Sequence, residues 1–341
     1  MSVTIMLTAV LSTIAQPQKD SSSEKRPQFV IATSIGLSEA KKDEDKPYMF
    51  SSILSADFDL EGNIYALDYK EAGIKVFAPS GRFRGRFLRP GQGPGEAQNP
   101  LRLRVSPDGK RIFVLHQNGF QIKEFDGTGN FVHIHPLPKQ MFGYFDFLDD
   151  DRLLFVDGLP FGQKSYANLK VYAIREHKFE KEFAVTNKDY FTGFQRFVVR
   201  EGIVWTCPGD LMGLQAYDLK TGSWQKTLAL PEKYIPFKNI RWGQNFQKTR
   251  LWNYAQPFEC AGNIYVLVTR QQFTPEPQGL LDSPLSRRTT LYRLVGEWLV
   301  KEPDFPAFDF YPEFLSAQNS RILISSSPYD LYPRLVVLEL R

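Results

Sequence analysis

The sequence predicts an all-β fold: a six-bladed β-propeller, its ring closed by an N-terminal strand that completes the last blade. Three observations predict it. A short strand ending in an aromatic or apolar residue, an acidic Gly/Asn turn and a second strand recur in six copies, at Phe58, Val105, Phe147, Phe197, Phe258 and Phe314, 42 to 61 residues apart. Apolar residues alternate with a period of two, and few stretches carry the 3.6-residue period of a helix. The last copy runs out of chain after three strands, while a spare strand precedes the first. A β unit recurring at such intervals builds one small sheet per repeat.

The elements follow in order. Residues 1–15 read as an export signal: Val3 to Ala15 is apolar with small residues, and Thr13-Ile14-Ala15 resembles a cleavage site, although Met1-Ser2 lacks a basic residue. No cysteine lies near that site, so a lipoprotein anchor is not expected. Residues 16–27 form a polar tail, and the propeller domain spans 28–341. Phe29–Ile35 is the spare strand, and Ser38–Lys46 is a charged connector. The first repeat, 51–90, holds strands Ile53–Asp59, Ile64–Asp68, Ile74–Ala78 and Phe83–Leu88, with a turn at Pro79-Ser80-Gly81. Repeats at about 100–138, 142–185, 194–230 and 255–302 follow the same plan. The last supplies Phe310–Ser316, Ile322–Ser325 and Leu335–Leu340 and borrows Phe29–Ile35, which removes the open sheet edges. Two insertions interrupt the repeats, at 231–254 and at 271–288. Connections of that length are commonly functional or disordered.

Composition narrows the function. The 42 basic and 38 acidic residues leave a net charge of +4, too balanced to signal a nucleic-acid partner. No apolar run is long enough for a membrane-spanning helix. Cys207 and Cys260 occupy different places in their repeats and read as buried free thiols. H-E-x-x-H, G-x-S-x-G and the phosphate-loop signature are absent. Gly91-Gln92-Gly93-Pro94-Gly95-Glu96 lacks the following Lys and helix of a phosphate loop, so it reads as a blade connection.

Four groups of residues are candidates. In the 231–254 insertion, Tyr234, Phe237, Arg241, Trp242, Phe246, Arg250 and Trp252 mix aromatic and basic side chains, the residue types that anchor interfaces and stack on sugars. Arg82, Arg84 and Arg86 alternate with apolar neighbours and with Arg89 form a basic stripe, which reads as a charge-guarded edge strand. Asp57, Arg104, Asp146, Arg196 and Glu313 each precede the recurrent apolar position. On the innermost strands they would point into the channel as a structural ring of ion pairs, whose arginines disfavour a channel metal. The alternative is an acidic cluster of Asp57, Asp146 and Glu313 with shifted pKa values. Finally, His133 and His135 lie two residues apart on an outer strand. They could ligate a metal, but no third ligand can be named, so solvated edge histidines are the expectation, with no metal and no cofactor.

Asp59-Leu60-Glu61-Gly62-Asn63-Ile64-Tyr65, Ile74-Lys75-Val76-Phe77 and Gly81-Arg82-Phe83 together resemble an NHL-type repeat. Gly91 to Glu96, with Pro100 following, is similar to a segment of bacterial exported six-bladed propellers. Ser106-Pro107-Asp108-Gly109-Lys110 looks like the turn of TolB-type propellers. The resemblance implies an exported propeller. Many such proteins bind proteins, peptides or glycans, and some are lyases or lactonases using a channel metal. No matching ligand set is present, so no catalytic residue is carried over. The expectation is an exported, non-catalytic binding or scaffolding module, periplasmic, cell-surface or secreted. Its partner would be a protein, within a multi-subunit envelope or extracellular complex. The alternatives are a metal-dependent lyase or hydrolase acting at the channel mouth and a glycan-binding module.

Overall fold

The computed structural model describes residues 28–116, 121–137, 142–157, 165–187, 196–207, 213–230, 251–272, 286–302, 305–306, 308, 312–326 and 332–341. They form six antiparallel sheets of four strands each, the blades of a propeller. Blade one runs outward from the axis through Ile53–Phe58, Ile64–Asp68, Gly73–Phe77 and Phe83–Phe87. Blade two comprises Arg102–Val105, Arg111–His116, Gln121–Asp126 and Phe131–Pro136. Blade three comprises Phe142–Phe147, Arg152–Asp157, Ser165–Ala173 and Lys178–Asn187. Blade four comprises Phe197–Arg200, Ile203–Thr206, Gly213–Asp218 and Trp224–Ala229. Blade five comprises Leu251–Cys260, Asn263–Gln272, Ser286–Val295 and Trp298–Glu302. Three of its strands reach into the segments expected to be insertions, so both connections are shorter than the sequence suggests.

Blade six closes the ring. Pro312–Gln318, Arg321–Ser326 and Leu335–Leu340 are its first three strands, and Phe29–Ile35 pairs antiparallel with the third, from Phe29↔Leu340 to Ile35↔Leu335. Main-chain bonds between Gln28 and Arg341, at 2.8 and 2.9 Å, extend that seam. A short 3-10 helix, Asp43–Tyr48, leads from this strand to blade one. The connector is pinned by buried Asp68, which accepts hydrogen bonds from the Ser51 and Ser52 N–H groups at 2.9 and 3.1 Å and lies 3.3 Å from Lys75 Nζ. No helix among the described residues is long and apolar enough to cross a membrane.

The turns show why the motif recurs. Asp59 accepts from Asn63 N–H at 2.8 Å and from its side-chain amide at 2.7 Å, while Gly62 takes φ of 77°, a left-handed angle that an L side chain resists. Gly109 repeats the device with φ of 71°. The residues of the repeat's apolar position pack between blades. Phe58 sits between blades six and one, Val105 between one and two, Phe147 against the cluster between two and three, Phe197 between three and four, and Phe258 and Phe314 between five and six. A further cluster around Trp205, Leu214, Val266 and Tyr292 joins blades four and five. The core is thus a ring of interfaces, each large apolar side chain contributing about 1.5–3 kcal/mol on burial. Cys207 and Cys260 are buried in different clusters as free thiols.

Candidate functional site

The channel is lined by the first strand of each blade, and there the acid and base positions of the repeat converge. Arg104 is 1% exposed. Its Nε lies 3.2 Å from Asp146 Oδ2, and its Nη2 donates to Tyr144 Oη at 2.7 Å and to the Leu315 carbonyl at 3.3 Å. Arg196 donates from the other side to the same Leu315 carbonyl at 2.6 Å. Both guanidinium groups lie over the Tyr144 ring, 4.8 and 4.9 Å from its centroid. Tyr144 Oη in turn donates to Asp146 Oδ2 at 3.1 Å. Side chains from blades two and four therefore meet one carbonyl of blade six, with the Tyr144 ring of blade three beneath both guanidinium groups.

Asp57 acts through main chain. Asp57 Oδ2 accepts from Val105 N–H at 3.0 Å, tying blade one to blade two, and Ser55 Oγ bonds Leu103 N and O at 3.1 and 3.2 Å at the same seam. Arg102 donates to the Leu54 carbonyl at 3.1 Å. Glu313 contributes its charge to Arg102 and Arg196. Arg104–Asp146 is a direct ion pair in this arrangement, and charge-to-carbonyl and carboxylate-to-amide clamps accompany it. Sequence reasoning missed Tyr144, Arg102 and Ser55. The first two sit two residues before Asp146 and Arg104, and period-two alternation puts them on the same strand face.

Burial, together with the crowding of like and opposite charges, sets the electrostatics. Burial, with Arg196 and Arg104 nearby, lowers Arg102 to about 9, so it stays charged at neutral pH. Burial also pulls Arg104 down, but Tyr144, Asp146 and Asp57 more than reverse this and leave it above its usual value. Asp57 is raised to about 6, by burial first, against the pull of Arg104 and with a further push from Asp146. The three guanidinium groups each work against a cation at this level, beside the carboxylates of Asp57, Asp146 and Glu313.

The remaining candidates are distributed elsewhere. Arg84 and Arg86 are exposed on the outermost strand of blade one, flanked by exposed Arg82 and Arg89, and Arg89 pairs with Glu96 at 3.0 Å. Gly93 N–H bonds Glu96 at 2.9 Å, and buried Lys123 of blade two holds the Gly93 and Glu96 carbonyls at 2.5 Å, so this glycine-rich loop is a strapped blade connection. Tyr234, Phe237, Arg241, Trp242, Phe246 and Arg250 lie outside the described residues, and Trp252 falls within strand Leu251–Cys260.

The histidines depart from the sequence expectation. His135 is buried rather than solvated, and His177, in the hairpin between Ser165–Ala173 and Lys178–Asn187, joins the pair. One ring nitrogen from each of His133, His135 and His177 lies within 4.8 Å of the others. His177 was missed because it belongs to the following repeat, and only packing of blade three on blade two brings it there.

No protein-family model matches the sequence, and no curated protein matches it. Several solved structures share the fold. A member of the DUF4221 family from Bacteroides vulgatus superposes with a TM-score of 0.61 at 11% identity, over 92% of this chain and 98% of that one. A Bacteroides fragilis chain named "Putative exported protein" gives 0.61 at 13% identity, over 95% and 98%. A streptogramin B lyase gives 0.51 at 13% identity, over 92% and 98%, and a chain of a mitotic checkpoint complex gives 0.52 at 9% identity, over 99% of each. At these identities the likeness shows a shared propeller fold.

Proposed function

We propose that the chain is an exported, non-catalytic binding or scaffolding propeller, of the NHL/TolB-like kind, that holds a protein partner at one mouth of its ring. The bridge across the channel carries this reading. Arg104, Tyr144 and Arg196 meet there as buried side chains tied to one another by a hydrogen bond, ring contacts and the shared Leu315 carbonyl, which leaves the faces of the ring as the surface a partner meets. The 231–254 segment, with Trp242 and Trp252 as anchors, supplies the aromatic and basic residues suited to such contact. Export is supported by residues 1–15 and by likeness to the chain named as exported. Assembly is supported by the recurrence of the fold in a checkpoint complex. Streptogramin B lyase has the same fold, but a channel-mouth lyase held together by a metal sits poorly with Arg102, Arg104 and Arg196 clustered at the axis.

Affinity purification from the native cell envelope tests the reading, comparing wild type with Trp242→Ala and Trp252→Ala. One protein enriched with wild type in near-equal amount and lost from both variants supports it. Enrichment of no protein, or turnover of a glycan or lactone that is abolished by Asp146→Asn, overturns it.

A further inference from the structure

We propose that His133, His135 and His177 form a zinc-binding site that staples the outer strands of blades two and three. The inference is independent of the channel and of any partner, because the site lies on the outer rim. Three of the chain's four histidines meet there.

A backbone irregularity aims the first two. Along the pairing of Gln121–Asp126 with Phe131–Pro136, the register moves from Phe125↔Phe131 to Glu124↔His133, leaving Val132 as a one-residue bulge. A bulge changes the face that the following residues present. Phe131 accordingly packs with the cluster between blades one and two, whereas His135 stacks on Phe113 of the cluster between blades two and three, with centroids 5.3 Å apart. His133 and His135 thus face blade three. From that side the Ile174-to-His177 turn brings up His177, whose φ of 51° is a left-handed value that orients the turn.

The geometry suits a tetrahedral ion. His135 Nδ1 and His177 Nδ1 are 3.4 Å apart. Two nitrogens bound at the usual Zn–N distance of about 2.0–2.1 Å, at the tetrahedral angle, stand about 3.3–3.4 Å apart. Exposed His133 sets its ring against those of His135 and His177, with centroids 4.9 and 5.4 Å away, and completes the trio. Buried Glu124 Oε2 lies 2.7 Å from His135 Nε2 and fixes the ring so that Nδ1 faces the other histidines. A carboxylate behind a histidine is the arrangement that orients and strengthens imidazole ligands. The same hairpin borders a surface depression lined by Asp149, Asp150, Asp151, Glu176 and Glu180 with Arg152, whose charge favours an approaching cation. Three imidazoles suit zinc rather than calcium or magnesium, and leave a fourth position to water.

The test is equilibrium dialysis of untagged full-length protein against Zn²⁺, read by metal analysis, with Mg²⁺ as control. Wild type is expected to bind one Zn²⁺ per chain and no Mg²⁺ at the same site. His177→Asn, which keeps the left-handed turn, and His133→Ala each weaken binding at least about tenfold, and Glu124→Gln weakens it about 10–100-fold. Zn²⁺ also raises the denaturation midpoint of wild type but not of His177→Asn. Absence of zinc binding by wild type, or equal binding by His177→Asn and His133→Ala, overturns the proposal. Circular dichroism of each variant confirms that a lost site is not a lost fold.

Discussion

Replacing Arg104 with Met tests whether the channel bridge holds the ring together. The substitution keeps most of the buried stem and removes the charge. Lost are the Asp146 contact at 3.2 Å and the bonds to Tyr144 and Leu315 at 2.7 and 3.3 Å. Breaking a fully buried pair costs about 3–5 kcal/mol. Here the cost is smaller for three reasons. The Asp146 side chain is 38% exposed and keeps the Tyr144 hydroxyl and the Phe147 N–H as donors. The Leu315 carbonyl keeps Arg196. The repulsion that Arg104 exerts on Arg102 and Arg196 is relieved. With charged hydrogen bonds at about 1.5–3 kcal/mol each, the net loss is about 2 kcal/mol, roughly a thirtyfold fall in the folding constant. Urea denaturation followed by tryptophan fluorescence reads it as a lower midpoint at unchanged slope. A cycle with Asp146→Asn should show about 1–2 kcal/mol of coupling. An unchanged midpoint, or strictly additive single variants, refutes the bridge.

Other expectations follow from the same structure. Deleting residues 28–35 uncovers the edge of Leu335–Leu340, so the truncated chain should elute as larger species than the intact chain in size-exclusion chromatography, and a peptide spanning 28–36 should restore the intact chain's elution. Burial and the Lys123 ammonium lower His116 to about 4. The unfolded chain then takes up a proton that the folded chain refuses, and this contribution to stability falls away as pH drops from about 6.5 to 4. Asp57 has the opposite sign: raised to about 6, it contributes fully below about 3.8 and loses that contribution as pH rises through about 6. Urea midpoints should therefore fall less between about pH 5 and about pH 7 in Asp57→Asn than in wild type. Gly129→Ala should cost about 1–3 kcal/mol in the same assay, because φ is 90° and a Cβ would meet Phe87 Cγ at 2.6 Å.

Much of the ring was legible because each repeat carries its own local chemistry. The Asp59–Asn63 bonds and the left-handed Gly62 write a turn into four or five residues, and Phe58 and its counterparts mark what lies between blades. Closure by Phe29–Ile35 was legible as a shortage at one end and a surplus at the other. The convergence of Asp57, Arg104, Asp146 and Arg196 could be anticipated from strand alternation, but their bonding could not. Leu315 O and Val105 N–H are main-chain partners that no side-chain pattern announces. The histidine cluster was hidden for two reasons. His177 lies 42 residues from His135, and the bulge at Val132 breaks the period-two rule that would have placed His133 beside Phe131.

Site-specific photocross-linking in the native cells tests the central claim most directly, with the photoreactive residue at Trp242 in one strain and at exposed Trp298, on the outer strand of blade five, in another. The account predicts one dominant adduct with a single envelope or extracellular protein from position 242 and none from position 298. Recovery of the chain in the cytosol, or no adduct from position 242, would contradict it.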